Sequence, residues 1–148
     1  MRSTVIGTGK LGLATAASLA DSGHQVLCVD SDEHRVEQLS QGLFPGTDVE
    51  LTRLLSDLQA GGQIQFTCML SDAVASADTV FLAVDTPFTA DGGTDLRQLW
   101  IVIDMLMYYL QRDAKLVIKS AVPRETSQRV ADRISRMTWR EFDVVSHC

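Results

Sequence analysis

The six residues Gly7-Thr8-Gly9-Lys10-Leu11-Gly12 have the spacing GxGxxG, which does chemical work when a strand precedes it and a helix follows. The first glycine permits a sharp turn, the second lets a pyrophosphate reach the backbone without meeting a Cβ, and the third lets the helix pack close on the strand. The helix that starts there offers unpartnered N–H groups and the positive end of its dipole to phosphate. Asp30 stands 18 residues beyond Gly12 at the end of a second apolar run. A carboxylate at that place accepts hydrogen bonds from the hydroxyls of an adenosine ribose and repels a 2′-phosphate, which favours NAD over NADP. The other reading of Asp30 is a cap for the helix that opens at Asp32-Glu33. Arg35 follows within the next turn, where it can lie over adenine, reach a phosphate or simply face solvent. Lys10, unusual beside a pyrophosphate, can pair with a phosphate or point to water.

Other reactive side chains are scattered. His24, His34 and His147 have no acid or nucleophile near them in sequence and read as surface histidines. Cys28, Cys68 and Cys148 are far apart and odd in number, which argues against a disulfide framework and against a metal site. Cys28 and Cys68 read as small core hydrophobes. His147-Cys148 is a pair at the chain's last two positions, a poor place to hold catalytic geometry.

These residues must be positioned by alternating strands and helices. Thr4-Val5-Ile6 reads as a short buried strand, Leu11 to Asp21 as an alanine-rich helix ending at Gly23, and Val26 to Val29 as a second strand. Next come a helix over Glu33 to Gln41, a Pro45-Gly46 turn, a helix over Val49 to Ala60, a Gly61-Gly62 break and a strand at Ile64 to Thr67. A short helix is expected at Asp72 to Ala77. Thr79 to Val84 is apolar enough for a central strand covered on both faces. Asp95 is expected to cap a helix over Leu96 to Leu110, in which Trp100, Met105, Met107, Tyr108 and Tyr109 are mostly core at helical spacing, with some of them open to a partner. Lys115 to Lys119 is a further strand, a helix follows Pro123, and Asp143 to Ser146 begins a last strand. The alternation predicts a single α/β domain, a doubly wound parallel sheet of Rossmann type in the order 3-2-1-4-5-6. Its ligands sit beyond the carboxyl ends of the strands, with the glycine loop, Asp30, Thr86 and Ser120 along one rim.

Length and composition agree. The chain's 148 residues, 45% hydrophobic and 22% charged, suit one folded domain that buries about two-thirds of its unfolded surface. The net charge of -6 disfavours nucleic acid as a partner. Arg129, Arg133, Arg136 and Arg140 recur at helical spacing and read as a solvated face, with Val130, Ile134 and Met137 on another. No apolar run is long enough for a bilayer and no signal layout opens the chain, so no membrane partner and a cytoplasmic location are expected.

Several stretches together resemble the N-terminal domain of the UDP-glucose/GDP-mannose dehydrogenase family, over nearly the whole chain. They are "VIGTGKLGL", "GHQVLCVDSD", "FLAVDTPFTADGGTDL", "VIKSAVPRETSQRV" and "FDVVS". The resemblance implies an NAD-dependent enzyme that oxidises a sugar C6 alcohol to a carboxylate, taking two hydrides with two NAD molecules in turn. It implies cofactor contacts from Gly7, Thr8, Gly9, Lys10, Leu11 and Gly12, with Asp30 and Arg35 at the adenosine end and Thr86 and Ser120 nearer the nicotinamide.

The departures are specific. Ala121 stands where the family has the threonine of K-S-T, so a hydroxyl that positions water and a carboxylate is lost. Asp85 replaces a glycine or small polar residue, which puts a charge near bound cofactor, and Lys10 replaces a position often aromatic. The family's N-P-E glutamate, its later lysine and asparagine and its nucleophilic cysteine have no counterpart here. Nor do its central helix and its sugar-nucleotide domain, so residues 1–148 are expected to be the cofactor half alone and not catalytic by themselves. The chain then reads either as a fragment of such a dehydrogenase or as a truncated relative, with a separate sugar-nucleotide-binding chain or a second copy as an expected partner in the latter case. Two other readings are a nucleotide-sensing Rossmann module, as in regulators of potassium channels, and an interaction domain without chemistry. Thr67-Cys68-Met69-Leu70-Ser71-Asp72, where such sensors carry a G-D-A-T-type run, favours the dehydrogenase relative.

Overall fold

The computed structural model describes residues 1–111, 113–138 and 143–146, so the expectations for Arg140, His147 and Cys148 lie outside the described residues. In chain order the elements are β1 (Arg2–Ile6), α1 (Lys10–Asp21), β2 (Gln25–Val29), α2 (Glu33–Ser40), α3 (Val49–Ala60) and β3 (Ile64–Thr67), then α4 (Leu70–Val74), β4 (Thr79–Leu82), α5 (Arg97–Tyr109), β5 (Lys115–Ile118), α6 (Thr126–Thr138) and β6 (Asp143–Ser146). The strands form one sheet in the order β3-β2-β1-β4-β5-β6, and every neighbouring pair is parallel. This is the doubly wound arrangement that the alternation predicts.

Side chains alternate across the sheet, and each face collects its own core. On one face Val5, Val26, Cys28 and Ile64 pack with Leu13, Ala16, Ala17 and Ala20 of α1, with Leu39 of α2 and with Leu55 and Leu58 of α3. The alanines keep α1 close to the strands. On the other face Ile6, Val80, Leu82, Leu116 and Ile118 meet Val74 of α4, Leu99, Ile103 and Leu106 of α5, and Val130 and Ile134 of α6. The chain switches faces as it passes from β3 to β4. The two halves of the sheet therefore diverge at the β1–β4 pair, and loops on either side of that seam leave a crevice at the carboxyl ends.

Helix starts follow side-chain chemistry. Asp32 caps α2 by accepting the Arg35 N–H at 3.2 Å, and Asp48 caps α3 by accepting the Leu51 N–H at 2.8 Å. The structure corrects Asp95 as a cap, because Leu96 occupies the N-cap position of α5 without a side-chain bond. Asp95 lies one residue too early, accepts the Arg97 N–H at 3.0 Å and pairs with the Arg97 guanidinium at 2.6 Å. The short helix after β3 begins at Leu70 rather than Asp72, since the Thr67 hydroxyl accepts the Met69 N–H and tightens the turn.

Two core assignments are also corrected. Cys28 is buried, but Cys68 lies in that turn and is exposed. Of the five large residues in α5, only Met107 is buried; Tyr108 is 80% exposed, Met105 and Tyr109 are exposed, and Trp100 packs half-buried against the core. The buried stripe of α5 is Leu99, Val102, Ile103, Leu106 and Met107, and a second apolar stripe of Ile101, Met105 and Tyr108 faces outward. In α6, Val130 and Ile134 are buried as expected, Met137 is exposed, and Arg129 and Arg133 lie 5.3 and 5.8 Å from the centre of the Trp100 ring.

Candidate functional site

The glycine loop joins β1 to α1, and each glycine has a separate reason to be there. Gly7 turns the chain at φ +108°, and a Cβ on it would come within 2.4 Å of the Ala83 carbonyl oxygen. A Cβ on Gly12 would overlap the Gly7 carbonyl oxygen at 1.8 Å, so only glycine lets α1 start against β1. Gly9 is open by comparison, its nearest neighbour being Oδ1 of Asp85 at 3.6 Å from the position of a Cβ. Gly9 is also the N-cap of α1, with no side-chain bond and no acidic residue in the first turn. The first amides of α1 are thus left for an anion, and the space over Gly9 suits the approach of a phosphate. On those grounds the loop fits a dinucleotide, with the Asp85 carboxylate as the one feature set against it.

Asp30 sits just past β2 and is drawn to the glycine loop. Its Oδ2 accepts the Thr8 hydroxyl at 2.6 Å and the Thr8 N–H at 3.3 Å, and its Oδ1 accepts the Asp32 N–H at 3.0 Å. The carboxylate therefore organises the entry to α2 without capping it, which is the task of Asp32. A carboxylate has about four acceptor positions, so capacity remains on a side chain that is still 21% exposed. Arg35 closes the cluster from α2. Its Nε donates to the Thr8 hydroxyl oxygen at 2.8 Å, its Nη2 donates to the Thr8 carbonyl, and its guanidinium stands 3.9 Å from Asp30. Thr8, Asp30 and Arg35 thus form one unit that fixes the loop before any ligand arrives.

Thr8 and Asp30 open onto a cleft of about 840 Å³ at the carboxyl ends of the strands, within the size range of small-molecule sites. One wall is the glycine loop and Asp30; the opposite wall is apolar, with Leu70 from α4 and Ile101, Val102 and Met105 from α5. The sequence reading did not single out that wall as part of a site, although the second apolar stripe of α5 was the available sign. Cys68, Asp95 and Arg97 also line the cleft. Hydrogen bonds from Arg97 hold the Asp95 carboxyl down from 3.8 to about 2. Cys28 lies outside the cleft, and burial pushes its thiol up to about 12.

The remaining site candidates are not all at the surface of the cleft. Lys10 and Leu11 begin α1 and are exposed, outside the cleft lining. Thr86 is half-buried, and its hydroxyl donates to the Ala121 carbonyl at 2.6 Å, tying the loop after β4 to the loop after β5. Ser120 is fully buried, and its hydroxyl donates to the Val84 carbonyl at 2.7 Å. The structure therefore brings Gly7, Thr8, Gly9, Asp30 and Arg35 together and places Thr86 and Ser120 as ties between neighbouring strand ends. His24 accompanies Ser3 at the opposite end of the sheet, 2.8 Å from its hydroxyl. Among the described residues no group of histidine, cysteine and acidic side chains could hold a metal, and no helix is long and apolar enough to cross a membrane.

Comparison with known proteins gives the same direction. The model of the UDP-glucose/GDP-mannose dehydrogenase family, NAD binding domain, matches residues 1–147. A UDP-glucose 6-dehydrogenase of Pseudomonas aeruginosa is 40% identical over 134 residues, covering 90% of this chain and 30% of that protein. One from Bacillus subtilis is 35% identical over 130 residues, covering 88% of this chain and 30% of its own length. The GDP-mannose dehydrogenase of Pseudomonas aeruginosa, solved as a ternary complex, superposes with a TM-score of 0.90 at 25% identity, over 100% of this chain and 36% of that one. The chain spans about a third of the length of these relatives. A parallel sheet of this order, a glycine loop open at Gly9 and a match along all but the last residue lead to one assignment: the chain belongs to the UDP-glucose/GDP-mannose dehydrogenase family, as its NAD-binding domain.

Proposed function

We propose that the cleft holds NAD with its pyrophosphate over Gly9 and the first amides of α1, its adenosine ribose on Asp30 and its adenine against Leu70, Ile101 and Met105. Residues 1–148 form the cofactor half of a nucleotide-sugar dehydrogenase of the UDP-glucose 6-dehydrogenase kind. Bound NAD supplies the hydride acceptor for oxidation of a sugar alcohol. The protein's own part is to hold the loop rigid through Thr8 and Arg35, to present Asp30 to the ribose hydroxyls, and to offer an apolar wall to the base. Lys10 and Leu11 border the pyrophosphate from the start of α1. Thr86 and Ser120 act at the nicotinamide end by fixing the loops that carry them.

The observation that carries this reading is the Asp30 cluster. A carboxylate held by Thr8 and Asp32 at 2.6 to 3.3 Å, with acceptor capacity remaining, stands beside the glycine loop in the same cleft. On this reading the nucleophile and the base for chemistry on the sugar belong to the sugar-nucleotide half. The cytoplasm suits this reading, since Cys28 and Cys68 are both free thiols.

Calorimetric titration with NAD, NADH and NADP tests it, with Asp30→Ala as the control. The expected result is selective binding of NAD or NADH that Asp30→Ala weakens at least tenfold, roughly the loss of a charged hydrogen-bond acceptor. Equal binding of NADP, or an Asp30→Ala variant that binds as the wild type does, overturns the assignment of the ribose. In the same samples, UDP-glucose plus NAD should yield no NADH.

A further inference from the structure

The proposed pyrophosphate position carries a charge of the wrong sign. Asp85 follows the buried Ala83-Val84 step at the end of β4, across the seam from the glycine loop. Its side chain is exposed, and its Oδ1 stands 3.6 Å from where a Cβ on Gly9 would be. Gly9 is the glycine whose bare Cα leaves the loop open to a phosphate, so the carboxylate borders that approach. Asp85 makes no ion pair or side-chain hydrogen bond among the described residues. The two arginines near the cleft are committed elsewhere, Arg35 to Thr8 and Arg97 to Asp95, and exposed Lys10 at the start of α1 forms no ion pair with Asp85. A pyrophosphate entering here meets the favourable end of the α1 dipole on one side and an uncompensated carboxylate on the other.

We infer that Asp85 sets the affinity and charge selectivity of this site, weakening ligands in proportion to the negative charge they bring to the glycine loop while leaving adenosine recognition untouched. The inference rests on the cleft being the NAD site. It reverses the usual response to salt. A loop that attracts phosphate loses affinity as salt screens the attraction, whereas a loop guarded by a carboxylate gains affinity as salt screens the repulsion.

The test is titration of the wild type, Asp85→Asn and Asp85→Ser with adenosine, ADP-ribose and NADH at low and high ionic strength, with a thermal melt on each protein. Removing the charge should tighten ADP-ribose and NADH about tenfold, the scale of one repulsive contact at a partly exposed position. Adenosine, which has no phosphate, should bind all three proteins alike. Added salt should strengthen ADP-ribose binding to the wild type more than to either variant. The inference is overturned if folded Asp85→Asn and Asp85→Ser bind ADP-ribose no better than the wild type, or if adenosine tightens as much as ADP-ribose, which marks an effect of shape and not of charge. Failure of all three proteins to bind any of the ligands overturns the cofactor reading itself, and the inference with it.

Discussion

Gly9 and Gly12 lie three positions apart in one motif, yet they should respond to alanine in opposite ways. A methyl on Gly12 collides with backbone, the Gly7 carbonyl at 1.8 Å, and backbone in a strand-to-helix turn cannot step aside. Gly12→Ala should therefore lower stability by several kcal/mol, on the order of 3 or more, seen as an early melt or no folded protein. Gly9 has an ordinary φ of -71° and open space, so Gly9→Ala should melt as the wild type does while losing NADH binding, because the methyl occupies the path of the phosphate. A Gly9→Ala protein that still binds NADH tightly would remove the pyrophosphate from this loop. The two cysteines make a similar contrast. With its thiol pushed up to about 12 by burial, Cys28 should resist iodoacetamide at pH 8 until the protein unfolds, whereas exposed Cys68 should label at once, read by peptide mass mapping. Nothing in the sequence around Cys68 separates it from Cys28. Its exposure comes from the Thr67–Met69 turn, which is a property of how β3 ends.

Elements were legible where one periodicity dominated. The alternation of short apolar runs with amphipathic stretches marks the six strands and six helices among the described residues, and α3 and β3 fall on their expected bounds. Helix α5 was harder because it carries two apolar stripes at the same helical period, and sequence spacing cannot say which one faces the sheet. The buried stripe belongs to the residues that meet β4 and β5, and the outer one becomes a wall of the cleft. Helix α6 is the cleaner case, and Ile134→Ala should cost about 2 to 4 kcal/mol by urea unfolding, as buried aliphatic truncations do. The Asp95–Arg97 pair at the head of α5 predicts a pH dependence. Its carboxyl titrates lower in the folded protein than in the unfolded chain, so its contribution is present above about pH 4 and is lost as pH falls from 3.8 towards about 2. Asp95→Asn should flatten the wild-type loss of stability over that acid range.

At the scale of the molecule, the sheet order and the glycine loop followed from patterns that physics restricts tightly, whereas the functions of Thr86 and Ser120 depend on which way a hydroxyl points. Sequence places both at the ends of strands; only the fold reveals that each hydroxyl is spent on a neighbouring carbonyl. The apolar wall of the cleft depended likewise on the rotation of α5. The sheet separates two cores that share no helix, one built on α1 to α3 and the other on α4 to α6. Their seam is the β1–β4 pair, and the groups around the cleft come from both sides of it, the glycine loop and Asp30 from one half and Asp85 and Met105 from the other. A dinucleotide lying across that seam is a rivet between two plates: hydrogen exchange in its presence should slow in both halves together, and the half that opens more readily without it should gain the greater protection.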